Sequence, residues 1–128
     1  MRYTRFEDLP IWKEALALTK IVYDLAVKKS WSKNWFLKDQ ARRAVVSISS
    51  NIVEGFEKSY TNEFVRYLKI SKGSVGELRN HMHISLTLGY TSESEFKIIN
   101  SRLERLGNDI GAFIKYLQKY NKSNKNNP

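Results

Sequence analysis

Glu77, Arg79, His81, His83 and a scatter of serines are the side chains of this sequence that could do chemistry. Glu77 and His81 are four apart, so on a helix they share a face. His81 and His83 are two apart and point to different sides. A bundle metal centre needs Glu-x-x-His pairs from two helices, and neither histidine has a glutamate three residues before it. One Glu–His pair cannot complete a coordination sphere. The sequence has no cysteine, which excludes thiolate metal sites, thiol nucleophiles and disulfides. It has no Gly-x-x-x-x-Gly-Lys phosphate loop. Gly73 and Gly76 fall inside a helical pattern, where the backbone amides are already used. No Ser/His/acid arrangement follows from the spacing of the serines. The expectation is no catalytic residue, no metal, no cofactor and no enzymatic activity.

Charge is the stronger signal. The 128 residues carry a formal net charge of +9. It is spread along the chain, each quarter and the tail adding +1 or +2, so no dense basic arm exists. The densest clusters are Lys38, Arg42 and Arg43, then Arg66, Lys69 and Lys72. Such groups suit phosphate contacts, which need summed charge more than base-specific geometry. A solvated outer face is the plainer reading of any one of them. Trp31, Trp35 and Phe36 lie among Lys28, Lys29 and Lys33. Aromatic rings among lysines can stack on unpaired bases. Closing one end of a bundle is the expected role for all three.

The elements that must position these groups are helices. Pro10 and Pro128 are the only prolines, so none interrupts positions 11 to 127. Over that span apolar residues recur with the helical period and show no sustained alternation. Four helices are predicted: Leu9 to Lys28, Asn34 to Glu57, Asn62 to Leu88, and Glu93 to Tyr120. Asp8 is the expected cap of the first, with Pro10 in its first turn. Thr61 or Asn62 is the expected cap of the third. Ser92 and Glu95 have capping-box spacing. Gly89 suits the left-handed position after the third helix. Short links predict antiparallel neighbours, giving an all-α, up-down-up-down four-helix bundle. Residues 1–120 form the expected single domain. The polar tail 121–128 is expected to be disordered. No apolar run is long enough to span a bilayer, and the predicted location is cytoplasmic.

The first helix has two adjacent apolar frames. One is Trp12, Leu16, Thr19, Tyr23 and Ala26; the other is Ile11, Ala15, Leu18, Val22 and Leu25. From Leu9 to Val27, 13 of 19 residues are apolar or tyrosine. An edge helix of a monomeric bundle needs a stripe only about 100° wide. The excess predicts a second contact surface, and a homo-oligomer is the simplest use of it.

The run Gln40-Ala41-Arg42-Arg43-Ala44-Val45-Val46-Ser47-Ile48-Ser49-Ser50-Asn51-Ile52-Val53-Glu54-Gly55 resembles the signature of the bacterial four-helix-bundle family of 23S ribosomal RNA intervening-sequence proteins. Asp8-Leu9-Pro10-Ile11-Trp12-Lys13 agrees, as do the segment from Glu63 to Leu78 and Leu88-Gly89-Tyr90. The chain departs at Ser49, where proline is usual, and at Gly76, where alanine is common. Helix two is therefore expected to be straighter. The resemblance implies a left-handed bundle and a ring-shaped homopentamer. It is also similar to the basic accessory protein of diversity-generating retroelements, which implies nucleic acid and a reverse transcriptase as partners.

The family motif gives a reading of the serine-rich middle of helix two. Ser47, Ser50, Asn51 and Glu54 are expected to face Gly73, Ser74 and Glu77 on helix three, with small residues allowing close approach. The plainer form is a polar network fixing helix register. The alternative is a binding site for a ligand or partner chain. The functional expectation is a basic homo-oligomer that binds RNA or DNA through Lys38, Arg42, Arg43, Arg66, Lys69 and Lys72, with a nucleic-acid-processing protein as a further expected partner. The alternative is a protein-assembly adaptor. A ribonuclease is the weakest reading, because Arg79 and His83 stand closer together than the paired Arg and His of the HEPN-type bundle nucleases.

Overall fold

In a computed structural model, which describes residues 3–58 and 60–126 and the last six of these by backbone alone, Phe6–Asp8 forms one 3-10 turn. Four α-helices follow: α1 (Pro10–Ala26), α2 (Trp35–Glu57), α3 (Thr61–Thr87) and α4 (Glu93–Asn126). Each packs on the next in sequence, and α1 closes on α4, so the chain is an up-down-up-down antiparallel four-helix bundle. The described residues contain no strand.

The core shows why these helices form. On α1, the frame Ile11, Ala15, Leu18, Val22 and Leu25 is buried, and Ala26 with it. On α2 the buried stripe is Leu37, Ala41, Ala44, Val45, Ile48, Ile52 and Gly55, as the periodicity predicts. On α3 the seam Phe64, Leu68, Ser71, Val75, Leu78, Met82 and Ser85 is buried throughout. On α4, Ile99, Leu103, Leu106, Ile110 and Leu117 face the core, while Tyr120 at the end of that seam is exposed.

Several boundaries differ from expectation. Asp8 does not cap α1; it lies in the 3-10 turn, and Leu9 takes the cap position with no side-chain bond. Leu9 is fully buried. Burying a leucine stabilises by about 1.5–3 kcal/mol, more than the roughly 1 kcal/mol of a capping bond. Tyr60, not Thr61 or Asn62, is the cap residue of α3, because the helix already includes Thr61. Asn34 caps α2, its Oδ1 accepting from the Leu37 amide at 2.9 Å. The Ser92–Glu95 capping box is formed in both directions, each bond 3.2 Å long. Gly89 has φ +77°, the left-handed conformation that closes α3. The α4 backbone continues past Tyr120 to Asn126, since no Gly or Pro stops it. Of the tail 121–128, whose disorder was expected, Asn127 and Pro128 lie outside the described residues.

Candidate nucleic-acid interface

Helix α2 presents two faces with different fates. The inner face meets α3 through hydroxyls. Ser47 Oγ and Ser74 Oγ are 2.8 Å apart. Asn51 Nδ2 donates to Ser47 O at 2.8 Å and to Ser47 Oγ at 3.0 Å. Ser71, part of the buried α3 seam, donates to Ile48 O at 2.8 Å from a fully buried position. These bonds restrain the helix register and satisfy the polar groups that weaken the α2 centre as a helix former. Ser50, Glu54, Gly73 and Glu77 do not join them; all four are exposed. Ser50 and Glu54 instead line a shallow surface depression with Ser49 and Val53. Glu77 turns toward His81, with Oε1 3.5 Å from Nε2, although neither ring nitrogen is hydrogen-bonded.

Close approach of α2 and α3 is made elsewhere than expected. A Cβ added at Gly73 or Gly76 would meet nothing within 4 Å. A Cβ at Gly55 would stand 2.7 Å from Tyr67 Cβ and 3.2 Å from Phe64 O. Gly55 is therefore the contact that needs glycine. The sequence signal was its place in the buried α2 stripe.

The two basic clusters separate. Lys38, Arg42 and Arg43 lie on the part of α2 that faces α1 and solvent. Arg42, Arg43, Asp39, Tyr23, Val46 and Ser47 line an open groove of about 570 Å³. The Arg42 guanidinium carbon sits 5.9 Å from the Tyr23 ring centroid. Arg43 Nε donates to Asp39 Oδ2 at 2.9 Å. Lys38 makes no ion pair among the described residues. Arg66, Lys69 and Lys72 lie on α3 nearer the opposite end, because α2 and α3 are antiparallel and Ser47 pairs with Ser74. Arg66 pairs with Glu63 at 3.2 Å and stacks 4.6 Å from the Tyr67 centroid. Lys72 runs over Gly111 of α4 and shares a groove with Arg79 and Glu104. The six cations thus form two patches and not one. Tyr23, which no charge count could find, is the aromatic partner of the α2 patch.

The three aromatics at the α1–α2 junction also divide, which corrects the expectation that all three close the bundle end. Trp31 does so and is fully buried. Its indole N–H donates to Thr91 Oγ1 at 3.2 Å. Ser85 donates to Met82 O at 2.7 Å, so its oxygen accepts from Thr91 at 2.9 Å. That chain of hydroxyls ties the two loops of this end together. Ser30 adds a bond to Tyr90 O at 2.7 Å. Trp35 and Phe36, by contrast, are 65% and 70% exposed.

Ion pairs fasten the helices at their edges. Arg102 on α4 grips Glu14 on α1 with two bonds of 3.0 and 2.6 Å. Arg79 on α3 reaches Asn100 at 3.2 Å and Glu104 at 3.0 Å on α4. Lys28 Nζ pairs with Glu95. That lysine, together with the Ser92 amide, holds the Glu95 carboxyl below its usual value. His83 packs against Phe96, ring centroids 4.8 Å apart, which leaves it a packing role. Among the described residues no group of three or more His, Asp or Glu could hold a metal ion. No helix of the described residues is long and apolar enough to cross a membrane.

The fold and the α2 signature agree with one family. Residues 7–112 match the model of the 23S rRNA-intervening sequence protein family. The chain belongs to this family. The fold is also that of a crystal structure of a protein of unknown function, from the S23 ribosomal protein family, from Bacteroides thetaiotaomicron VPI-5482. The TM-score is 0.76 at 18% identity, over 82% of this chain and 98% of that one. No curated protein matches.

Proposed function

We propose that this intervening-sequence protein is a non-enzymatic, cytoplasmic, homo-oligomeric binder of nucleic acid, RNA or DNA, that contacts phosphates without strong sequence specificity. The observation that carries the reading is the outer face of α2. Arg42 and Arg43 line an open groove, Lys38 lies one helical turn before Arg42, and of the three only Arg43 is paired with a carboxylate among the described residues. Arg66, Lys69 and Lys72 add a second patch. Repetition around a ring of five, the assembly the family resemblance implies, would multiply both patches.

Anisotropy titrations of labelled RNA and duplex DNA between 50 and 200 mM salt test this. Six phosphate contacts predict a loss of affinity of about 1,000-fold over that range. Salt-independent binding, or no binding to either ligand at low salt, overturns the reading.

One observation favours a second reading. The outer frame of α1 is left half in water: Leu16 is 50% and Tyr23 42% exposed, with Val46 of α2 beside Tyr23 on the same groove. Such a frame supports self-association, for which a monomeric mass in light scattering at micromolar concentration would be the contrary result. It equally supports an adaptor that docks a nucleic-acid-processing protein such as a reverse transcriptase. Mass analysis of co-purified proteins, with sequencing of co-purified nucleic acid, separates the two.

A further inference from the structure

We infer that Trp35 and Phe36 form a base-stacking platform that makes the protein prefer single-stranded over double-stranded nucleic acid. The proposal rests on the nucleic-acid reading above and adds to it a strand preference and two residues.

The first observation is exposure. Trp35 and Phe36 are consecutive on the first turn of α2 and leave 65% and 70% of their surface in water. Trp31, four residues earlier, shows that the fold can bury an indole at this end when it needs one. Neither exposed ring has an aromatic or cation partner among the described residues, whereas Trp31 packs against Tyr90 at 6.3 Å. Two unstacked rings of this size are a cost in water that folding does not recover.

The second observation is the charge around them. Lys29, Lys33 and Lys38 are the nearest cations along the chain, and none has an ion pair among the described residues. Lys38 stands three residues from Trp35, one turn along the same face. Arg42, four further on, continues that row into the groove. Asp39, the carboxylate on this face, is engaged by Arg43 at 2.9 Å. Lys28, at the same end, is engaged by Glu95.

Rings and free cations together select the occupant. An apolar protein surface would cover the rings but strand the lysines without counter-charge. A second copy of this chain, itself +9, would cover the rings but supply the lysines with no net counter-charge. A duplex offers phosphates but keeps its bases stacked and paired, so the rings gain nothing. A single strand offers both, bases to the rings and phosphates to the lysines and Arg42. Stacking needs no base-specific hydrogen bonds, which agrees with binding without sequence preference.

The test compares the wild-type chain with Trp35→Ala/Phe36→Ala and with Trp35→Tyr/Phe36→Tyr. The probes are a labelled 20-nucleotide oligo(dT) and a mixed-sequence duplex of the same length. Thermal melting and light scattering verify that each variant is folded and has the wild-type mass. The wild type is expected to bind the single strand more tightly, with quenching of tryptophan emission. The alanine pair is expected to lose about 5- to 150-fold per ring on the single strand, the fold-change equivalent of 1–3 kcal/mol per stacked base. Its duplex affinity and the salt slope of both ligands should stay the same. The tyrosine pair should recover most of the loss.

Equal losses on both ligands, or no loss on the single strand, overturn the platform while leaving the nucleic-acid reading intact. A changed oligomeric mass with unchanged single-strand affinity also overturns it and makes the rings a contact between copies. Failure of the wild type to bind either probe at low salt overturns both readings together.

Discussion

The middle of α2 carries hydroxyls and an amide, its first turns carry aromatic rings and cations, and the two end in opposite states. Ser47, Asn51 and the Ser71 and Ser74 of α3 find partners within 3.0 Å and are withdrawn from water wholly or in part. In the first turns of α2, Trp35, Phe36 and Lys38 find none among the described residues, and Arg42 finds only the Tyr23 ring. A polar group that the chain satisfies internally serves register and stability. A cation that the chain leaves unpaired at the surface costs little to keep and is free to serve a partner. The difference separates the part of α2 that serves the fold from the part that is open to a ligand.

The comparison breaks most visibly at Gly55. Gly55→Leu should lower stability by about 3 kcal/mol or more, since even its first carbon overlaps Tyr67. A urea midpoint close to that of the wild type would mean that α2 and α3 can part cheaply, and the inner face would not be the rigid one. Asn51→Ala should cost about 1 kcal/mol through the two lost bonds to Ser47. Unchanged stability and unchanged oligomeric mass would remove the structural role of the network and return Asn51 to the list of ligand contacts. On the outer face the expected pattern inverts. Lys38→Gln/Arg42→Gln/Arg43→Gln should change stability by no more than about 0.5 kcal/mol. It should reduce the slope of log affinity against log salt on duplex DNA by about 3, close to 0.9 for each lost phosphate contact.

The smallest effect belongs to the Lys28–Glu95 clamp at the same end of the bundle as the exposed rings. The Glu95 carboxyl is held below its usual value of 4.5 by the Lys28 ammonium and the Ser92 amide. Its contribution is therefore present above the unfolded value and is lost as pH falls through the depressed folded value. Glu95→Gln should cost a few tenths of a kcal/mol at neutral pH, the scale of a partly exposed pair. The gap from wild type should close below pH 4.5. A gap that persists in acid would show that the side chain acts by packing and not by charge.

Particular residues show how far the sequence could be read. The α2 stripe and the α3 seam were legible because one apolar residue per turn in unbroken succession leaves one way to bury them. The left-handed Gly89 and the Ser92–Glu95 box were legible because their chemistry is local. The polar motif was half legible: Ser47, Asn51 and Ser74 meet, while Ser50, Glu54, Gly73 and Glu77 face outward. A rotation of about 100° per residue separates those outcomes, and spacing alone does not give the azimuth at which two helices touch. The relative placement of the two basic clusters was not legible for the same reason. Charge clusters were visible along the chain, but the antiparallel pairing that places them at different heights is not a property of either segment.

By itself the sequence determined the helices, their order, the left-handed Gly89 and the Ser92–Glu95 box, since periodicity, proline placement, short links and local capping chemistry act over a few residues. It determined the total charge of +9 as well. Only the tertiary structure decided which frame of α1 lies inside, that Gly55 and not Gly73 is the close contact, and that Trp31 is sealed while Trp35 and Phe36 stay in water. Each of these depends on where neighbouring helices cross. Burial is a property of two surfaces in contact, and no single stretch of sequence contains both.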